Sequence, residues 1–150
     1  MVGAPRLEDR LAPGEPPYKS RGEAQVGRLL DRYGIPFIYE RPLTVQDRGH
    51  ERTWHPDFTL FSYRGLVLEY AGMPDRPEYM AGIRKKEQVY AQNRVPAIFV
   101  YPQDLLGPSW PERVGERIRD GYRAQFGSRG GRGSGPRWYA CRAPARPRYK

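Results

Sequence analysis

The sequence predicts an α/β domain, a mixed four-stranded sheet flanked by helices. Three observations predict it. Four short apolar runs, PFIYERPL, HPDFTLF, LVLEYA and PAIFVY, have the length and β-branched or aromatic content of strands. Amphipathic helical stretches precede, divide and follow them. The order helix, three strands, helix, strand, helix then decides the sheet. Consecutive strands favour an antiparallel meander, and a helix between the third and fourth favours a crossover and one parallel pair. The result is a one-domain α/β sandwich.

Residues 1–19 are rich in Pro, Gly and charge and read as a flexible N-terminal arm. Ser20 to Glu23 has the capping-box pattern, with Ser20 as N-cap and Glu23 three residues on. The helix that follows carries Val26, Leu29, Leu30 and Tyr33 on one stripe, and Gly34 closes it. The first strand runs from Pro36 to Leu43. Thr44 to Thr53 is polar and is expected to be an exposed loop or turn. The second and third strands are His55–Phe61 and Leu66–Ala71. A helix from Pro77 to Arg94 has Pro77 in its first turn. The fourth strand is Pro96–Tyr101, and a last helix runs from Trp110 to Tyr122. The domain is expected to span 20–127, with 128–150 a basic, disordered Gly/Arg-rich tail.

Charge separates the tail from the domain. The chain carries a net charge of +9 over 150 residues, and +7 of it lies between Ser128 and Lys150, which contains no acid. A nearly neutral body with a basic extension suggests a polyanionic partner, most simply nucleic acid; a solvated low-complexity extension is the alternative. Arg129, Arg132, Arg137, Trp138, Arg142, Arg146 and Arg148 are the candidate contacts. The mixture of guanidinium groups and rings suits DNA, single strands or RNA. The one cysteine, Cys141, excludes a disulfide framework and a cysteine zinc site. No apolar run approaches the ~20 residues of a membrane span, and no signal-peptide core is visible. The expectation is a cytoplasmic protein with no membrane partner.

Polar residues on apolar faces point to a site. Asp57 and Glu69 lie in adjacent strands. A three-residue loop, Tyr63-Arg64-Gly65, pairs Ser62 with Leu66 and puts both acids on one face, Thr59 opposite Glu69. Two carboxylates so placed either share a divalent cation, for which magnesium is best suited, or one of them is ion-paired to an arginine. Tyr79, Ile83, Lys86 and Tyr90 form one helical stripe, on which Lys86 either snorkels to water or meets an anion. Lys85 is expected to face solvent. Glu23 shares the apolar stripe of the first helix, as a cap, as a site residue, or as both.

These residues resemble the PD-(D/E)xK, or restriction-endonuclease-like, nuclease superfamily. The resemblance rests on Glu23 in the first helix, Pro56-Asp57 on the second strand, Glu69 on the third and the helix-strand-strand-strand-helix-strand order. It covers roughly residues 20–106, in SRGEAQVGRLLDRYGIPFIYERPL, WHPDFTL, LVLEYAGM and YMAGIRKKEQVYAQNRVPAIFVY. The family's acid-any-lysine motif reads Glu69-Tyr70-Ala71 here, with alanine in the lysine's place. Some branches have Gly-Met after the acid, as Gly72-Met73, and bring the lysine from the next helix, where Lys86 matches.

The resemblance implies metal-dependent hydrolysis of phosphodiester bonds in DNA. Asp57, Glu69 and the Tyr70 carbonyl would hold Mg²⁺, with Mn²⁺ a substitute. Lys86 would be the catalytic cation, and Glu23 would support the site. His55 ranks below them as a phosphate contact. Many relatives dimerise, so a homodimer is compatible with it. The alternative, favoured by Ala71, is an inactive nuclease-fold module that binds nucleic acid through its tail.

Overall fold

The computed structural model describes residues 14–126. They form a small α/β domain. Helix α1 (Arg21–Arg32) is followed by strands β1 (Phe37–Tyr39), β2 (Leu43–Asp47), β3 (His50–Trp54), β4 (Phe58–Leu60) and β5 (Leu66–Tyr70). Helix α2 (Pro77–Gln92), strand β6 (Ala97–Val100) and helix α3 (Trp110–Phe126) complete it. The main sheet has the order β1-β4-β5-β6, and β2 and β3 form a separate two-stranded ribbon. β1, β4 and β5 are antiparallel neighbours. β6 returns parallel to β5 after α2, so the mixed four-stranded sheet and its three helices match the expectation. The basic tail lies outside the described residues.

Alternation along the strands divides the core. Phe58, Leu60, Leu66, Leu68, Ile98 and Val100 face α1 and α3, where they meet Val26, Leu29, Leu30, Val114 and Ile118. The intervening residues Val67, Ala71 and Phe99 face Ile83 and Tyr90 of α2, with Leu43 and Trp54 of the ribbon packed beside them. Asp57 and Glu69 share the parity of Val67, so they belong to the α2 face.

Two expectations need correction. The polar stretch 44–53 is a hairpin rather than a loop. Asp47 pairs with His50 across a two-residue turn, and Arg48 and Gly49 have φ of 52° and 78°, the positive pair that a tight hairpin turn requires. Its polarity hid it, because His50–Thr53 are all exposed and give no alternating signal. The hairpin also shortens the first strand: Glu40 turns into positive φ at 51°, and the chain leaves the main sheet before Pro42.

The second correction concerns register. Leu60, not Ser62, pairs with Leu66. The connection is five residues, Phe61–Gly65, opening on a single 3-10 turn. It closes with Arg64 and Gly65 at φ 56° and 73° and a bond from the Gly65 N–H to the Leu60 carbonyl at 3.1 Å. Moving the register by two preserves which face each side chain takes. Both acids therefore stay on one face, but Asp57, one residue before β4, falls opposite Glu69 itself.

At the N-terminal side, residues 15–19 of the predicted arm lie on the domain. Glu15 pairs with Arg28 at 3.1 Å. The Tyr18 ring packs edge-on to Tyr39 at 5.1 Å between centroids and covers Gly27, where a Cβ would collide with it.

Candidate functional site

A cleft of about 360 Å³ opens between the end of β5, the start of α1 and α2. Glu23, Asp57, Glu69, Tyr70, Tyr79 and Lys86 are among its walls. The structure thus brings together Glu23, Asp57, Glu69, Tyr70 and Lys86, which sequence reasoning singled out. His55 is exposed and is not part of the wall. Arg129, Arg132, Arg137, Trp138, Arg142, Arg146 and Arg148 lie outside the described residues.

Each acid is held differently. Glu69, 4% exposed, accepts from Lys86 Nζ at 2.9 Å through Oε2 and from the Tyr90 hydroxyl at 2.5 Å through Oε1. The partner of the buried acid is therefore a lysine rather than an arginine. Lys86 crosses from α2, while Lys85 leans the other way and pairs with Asp47 of the hairpin at 3.1 Å. Tyr90 packs in the core, as its place in the stripe predicts, and also turns its hydroxyl onto Glu69. A buried phenol needs such a partner, which is the signal that could have found it.

Asp57 accepts from the Tyr70 N–H at 2.7 Å. Burial, then the charge of Glu69, pushes its carboxyl up to about 7, against the Tyr70 hydrogen bond; Glu23 raises it further and Lys86 lowers it. Ionised Asp57 is thus short of positive charge. The Tyr70 carbonyl lies on the same side. Val67 and Ala71 donate their N–H groups toward β6, and alternate residues of a strand turn the other way, so Tyr70 presents its backbone to Asp57.

Glu23 sits at the start of α1. The Ser20 hydroxyl accepts from the Glu23 N–H at 3.1 Å, the capping bond the sequence predicts. The Glu23 carboxylate accepts from the Lys19 N–H at 3.2 Å and from the Tyr39 hydroxyl. Burial, followed by that hydrogen bond, raises the Tyr39 phenol. Glu23 therefore serves both as a first-turn residue and as a cleft wall. The Tyr70 ring closes over Gly22, where a Cβ would lie 2.0 Å from the ring; glycine lets strand and helix approach here. The Tyr79 hydroxyl accepts from the Gly72 N–H at 3.0 Å, which fastens the chain after β5 to the first turn of α2.

No family model, curated protein or solved structure matches this chain.

Among the described residues, no three His, Cys, Asp or Glu side chains converge into a ready metal-holding group. What the cleft offers is a smaller set: two carboxylates facing each other, a backbone carbonyl beside them and one lysine. These are hard oxygen donors, and Asp57 is held in a form that a cation would relieve. That chemistry fits one divalent ion of the magnesium type, which takes one or two carboxylates and keeps water for its other positions. No described helix is long and apolar enough to cross a membrane.

Proposed function

We propose that this chain is a metal-dependent endonuclease of the PD-(D/E)xK type, hydrolysing phosphodiester bonds in DNA. The observation that carries the reading is the Lys86–Glu69 ion pair at 2.9 Å. Ala71, at the place of the motif lysine, is fully buried in the apolar cluster under α2. A lysine there would have to force its ammonium through packed side chains. Lys86, two turns into α2, reaches the same carboxylate from outside. The helix-strand-strand-strand-helix-strand order and the face shared by Asp57 and Glu69 also support the restriction-endonuclease-like assignment.

Asp57, Glu69 and the Tyr70 carbonyl would hold the ion. A bound Mg²⁺ or Mn²⁺ supplies the positive charge that polarises a phosphodiester and makes an attacking water more acidic. The chain's own residues do the rest. Glu69 orients Lys86, whose ammonium has further hydrogens to donate to a phosphate oxygen as negative charge develops there. Tyr90 fixes the Glu69 carboxylate by holding its second oxygen. Tyr70 N–H fixes the Asp57 rotamer. Glu23 supports the mouth of the cleft through Lys19 and Tyr39. DNA would be the partner, with RNA an additional ligand for the tail.

The test is cleavage of single-stranded, duplex and branched DNA with Mg²⁺ or Mn²⁺, comparing wild type with Asp57→Ala and Lys86→Ala. Both substitutions should lower the rate at least about 100-fold, the usual effect of removing a group that stabilises developing charge. Cleavage abolished only in Asp57→Ala would keep the enzyme and reject Lys86. Absence of cutting on all substrates, with DNA still bound, would favour the second reading that Ala71 suggests: an inactive nuclease-fold module binding nucleic acid through its tail.

A further inference from the structure

A second pocket lies on the same face of the sheet as the carboxylates, at the opposite end of β5. Its volume is about 320 Å³, and Arg41, Arg64 and Arg94 stand among its walls with Thr44, Thr59 and Gly65. No acid lines it. Among the described residues, no carboxylate pairs with Arg41 or Arg94; Arg41 lies over the Phe61 ring at 5.3 Å. Among the described residues, the wall of this cavity therefore contains three arginines and no carboxylate, and two of them, Arg41 and Arg94, are the ones on which the pocket's chemistry rests. The room suffices for a phosphate group with several waters, each of which takes about 30 Å³.

One further observation points to a ligand, and another explains how two of the arginines come to the pocket. Thr59 is only 6% exposed, lines the pocket, and makes no side-chain hydrogen bond among the described residues. Its hydroxyl is not among the buried side-chain polar atoms that lack a partner, so it stays accessible, and it can donate to an anionic oxygen that enters the cavity. Arg64 and Arg94 also occupy left-handed backbone positions, with φ of 56° and 55°. Glycine fills such positions without strain, and arginine does not. Arg94 takes this conformation because it closes α2 in a Schellman turn, with the Val95 N–H on the Tyr90 carbonyl at 2.9 Å, and Arg64 takes it at the end of the turn before β5; both turns bring their arginines to one pocket.

We propose that this pocket binds a phosphate group, a backbone phosphate of the nucleic acid that the carboxylate cleft would cut. The assignment rests on the nuclease reading for its ligand, and on the arginines and Thr59 for its chemistry. Thr59 and Val67 form its floor; Asp57 and Glu69 stand two residues along the same strands. The mouths lie at opposite ends of β5, whose five residues span about 17 Å. One nucleic-acid strand advances about 3.4 Å per phosphate. The pocket would thus hold a backbone phosphate a few nucleotides from the scissile bond. It fixes the register of the strand without reading sequence.

The test uses the full isotope-labelled chain and follows amide chemical shifts while a short oligodeoxynucleotide, or inorganic phosphate, is added without divalent ions. The oligodeoxynucleotide should move the Thr59 and Gly65 amides at far lower concentration than inorganic phosphate does. In the double variant Arg41→Ser with Arg94→Gly those shifts should vanish. Affinity should fall about tenfold, and the slope of log affinity against log salt should shrink by about 0.7–0.9 for the one phosphate released. Arg94→Gly relieves a positive φ, so the melting temperature should hold and unfolding cannot imitate the result. Shifts confined to Asp57 and Tyr70 would overturn the pocket and leave the nuclease reading intact. A response to inorganic phosphate that the oligodeoxynucleotide does not compete with would overturn the nucleic-acid assignment. Pocket shifts in a protein that cuts nothing with Mg²⁺ would instead remove the nuclease reading and keep the pocket.

Discussion

Asp57 shows what the site takes from the fold. Its carboxyl titrates near 7 in the folded chain against 3.8 ordinarily, because of burial first and Glu69 second. Between those values the folded state binds more protons than the unfolded state, so stability falls as pH rises through the window and the full penalty is present above it. Asp57→Asn keeps an acceptor for the Tyr70 N–H and removes the charge. At about 1.4 kcal/mol per pKa unit, reduced for solvent screening at a half-buried group, the variant should be more stable by about 1–3 kcal/mol at pH 8 in chelator. The difference should vanish at pH 4. Denaturant titrations at the two pH values measure it, and an equal or less stable variant at pH 8 would show that the acid pair carries no such strain. The existence of this pair was legible in the sequence because Gly65 favours an odd-length connection, and any odd length puts both acids on one face. Its pairing was not: the turn residues suggest a three-residue loop, and only the Gly65 N–H bond to the Leu60 carbonyl shows that the connection has five.

At the level of elements, α2 does most of the placing. It lays Ile83 and Tyr90 on the sheet, hands Lys86 to Glu69 and Lys85 to Asp47, and at its end presents Asn93 to the hairpin. The Asn93 carboxamide accepts from the Gln46 N–H at 2.8 Å and donates to the Gln46 carbonyl at 2.9 Å. One side chain thus replaces a paired strand residue along the free edge of β2. The sequence showed helix α2 and its stripe, but not this pair of bonds, because a hairpin of exposed polar residues carries no periodicity to read. Asp47 was missed for the same reason: it is 5% exposed, and only the hairpin explains its burial between Lys85 and Arg52. Asn93 Nδ2 also donates to the Val89 carbonyl at 2.8 Å, so Asn93→Ala removes three hydrogen bonds and should cost about 1–3 kcal/mol, since their partners regain some water. Hydrogen exchange should quicken at Gln46 more than at Val67 or Leu68. Uniform quickening across the chain would mean that Asn93 supports the whole fold rather than the hairpin.

Across the whole molecule, charge and metal separate into two tests. The net +2 outside 128–150 is too small to explain a strong non-specific hold on nucleic acid, whereas the +7 of the tail is not. Deleting residues 128–150 should therefore weaken DNA binding and flatten its salt dependence by up to ~0.7–0.9 in slope for each phosphate the tail no longer neutralises. The acid cleft lies within the described domain, so the same deletion should spare its response to divalent ions. Mg²⁺ or Mn²⁺ should raise the melting temperature of the full chain and of the truncated chain alike. The gain follows mass action and reaches about 2.7 kcal/mol at a hundred times the dissociation constant. Asp57→Asn should abolish the gain in both, even though it stabilises the ion-free protein, and that opposition of signs separates a missing ligand from a damaged fold. Thermal melts of four proteins, full and truncated, each with and without the substitution, complete the test. An ion response that disappears with the tail would place the metal there rather than at Asp57 and Glu69. Binding that survives truncation unchanged would place the hold on nucleic acid in the domain itself, with the arginine pocket as the first region to substitute.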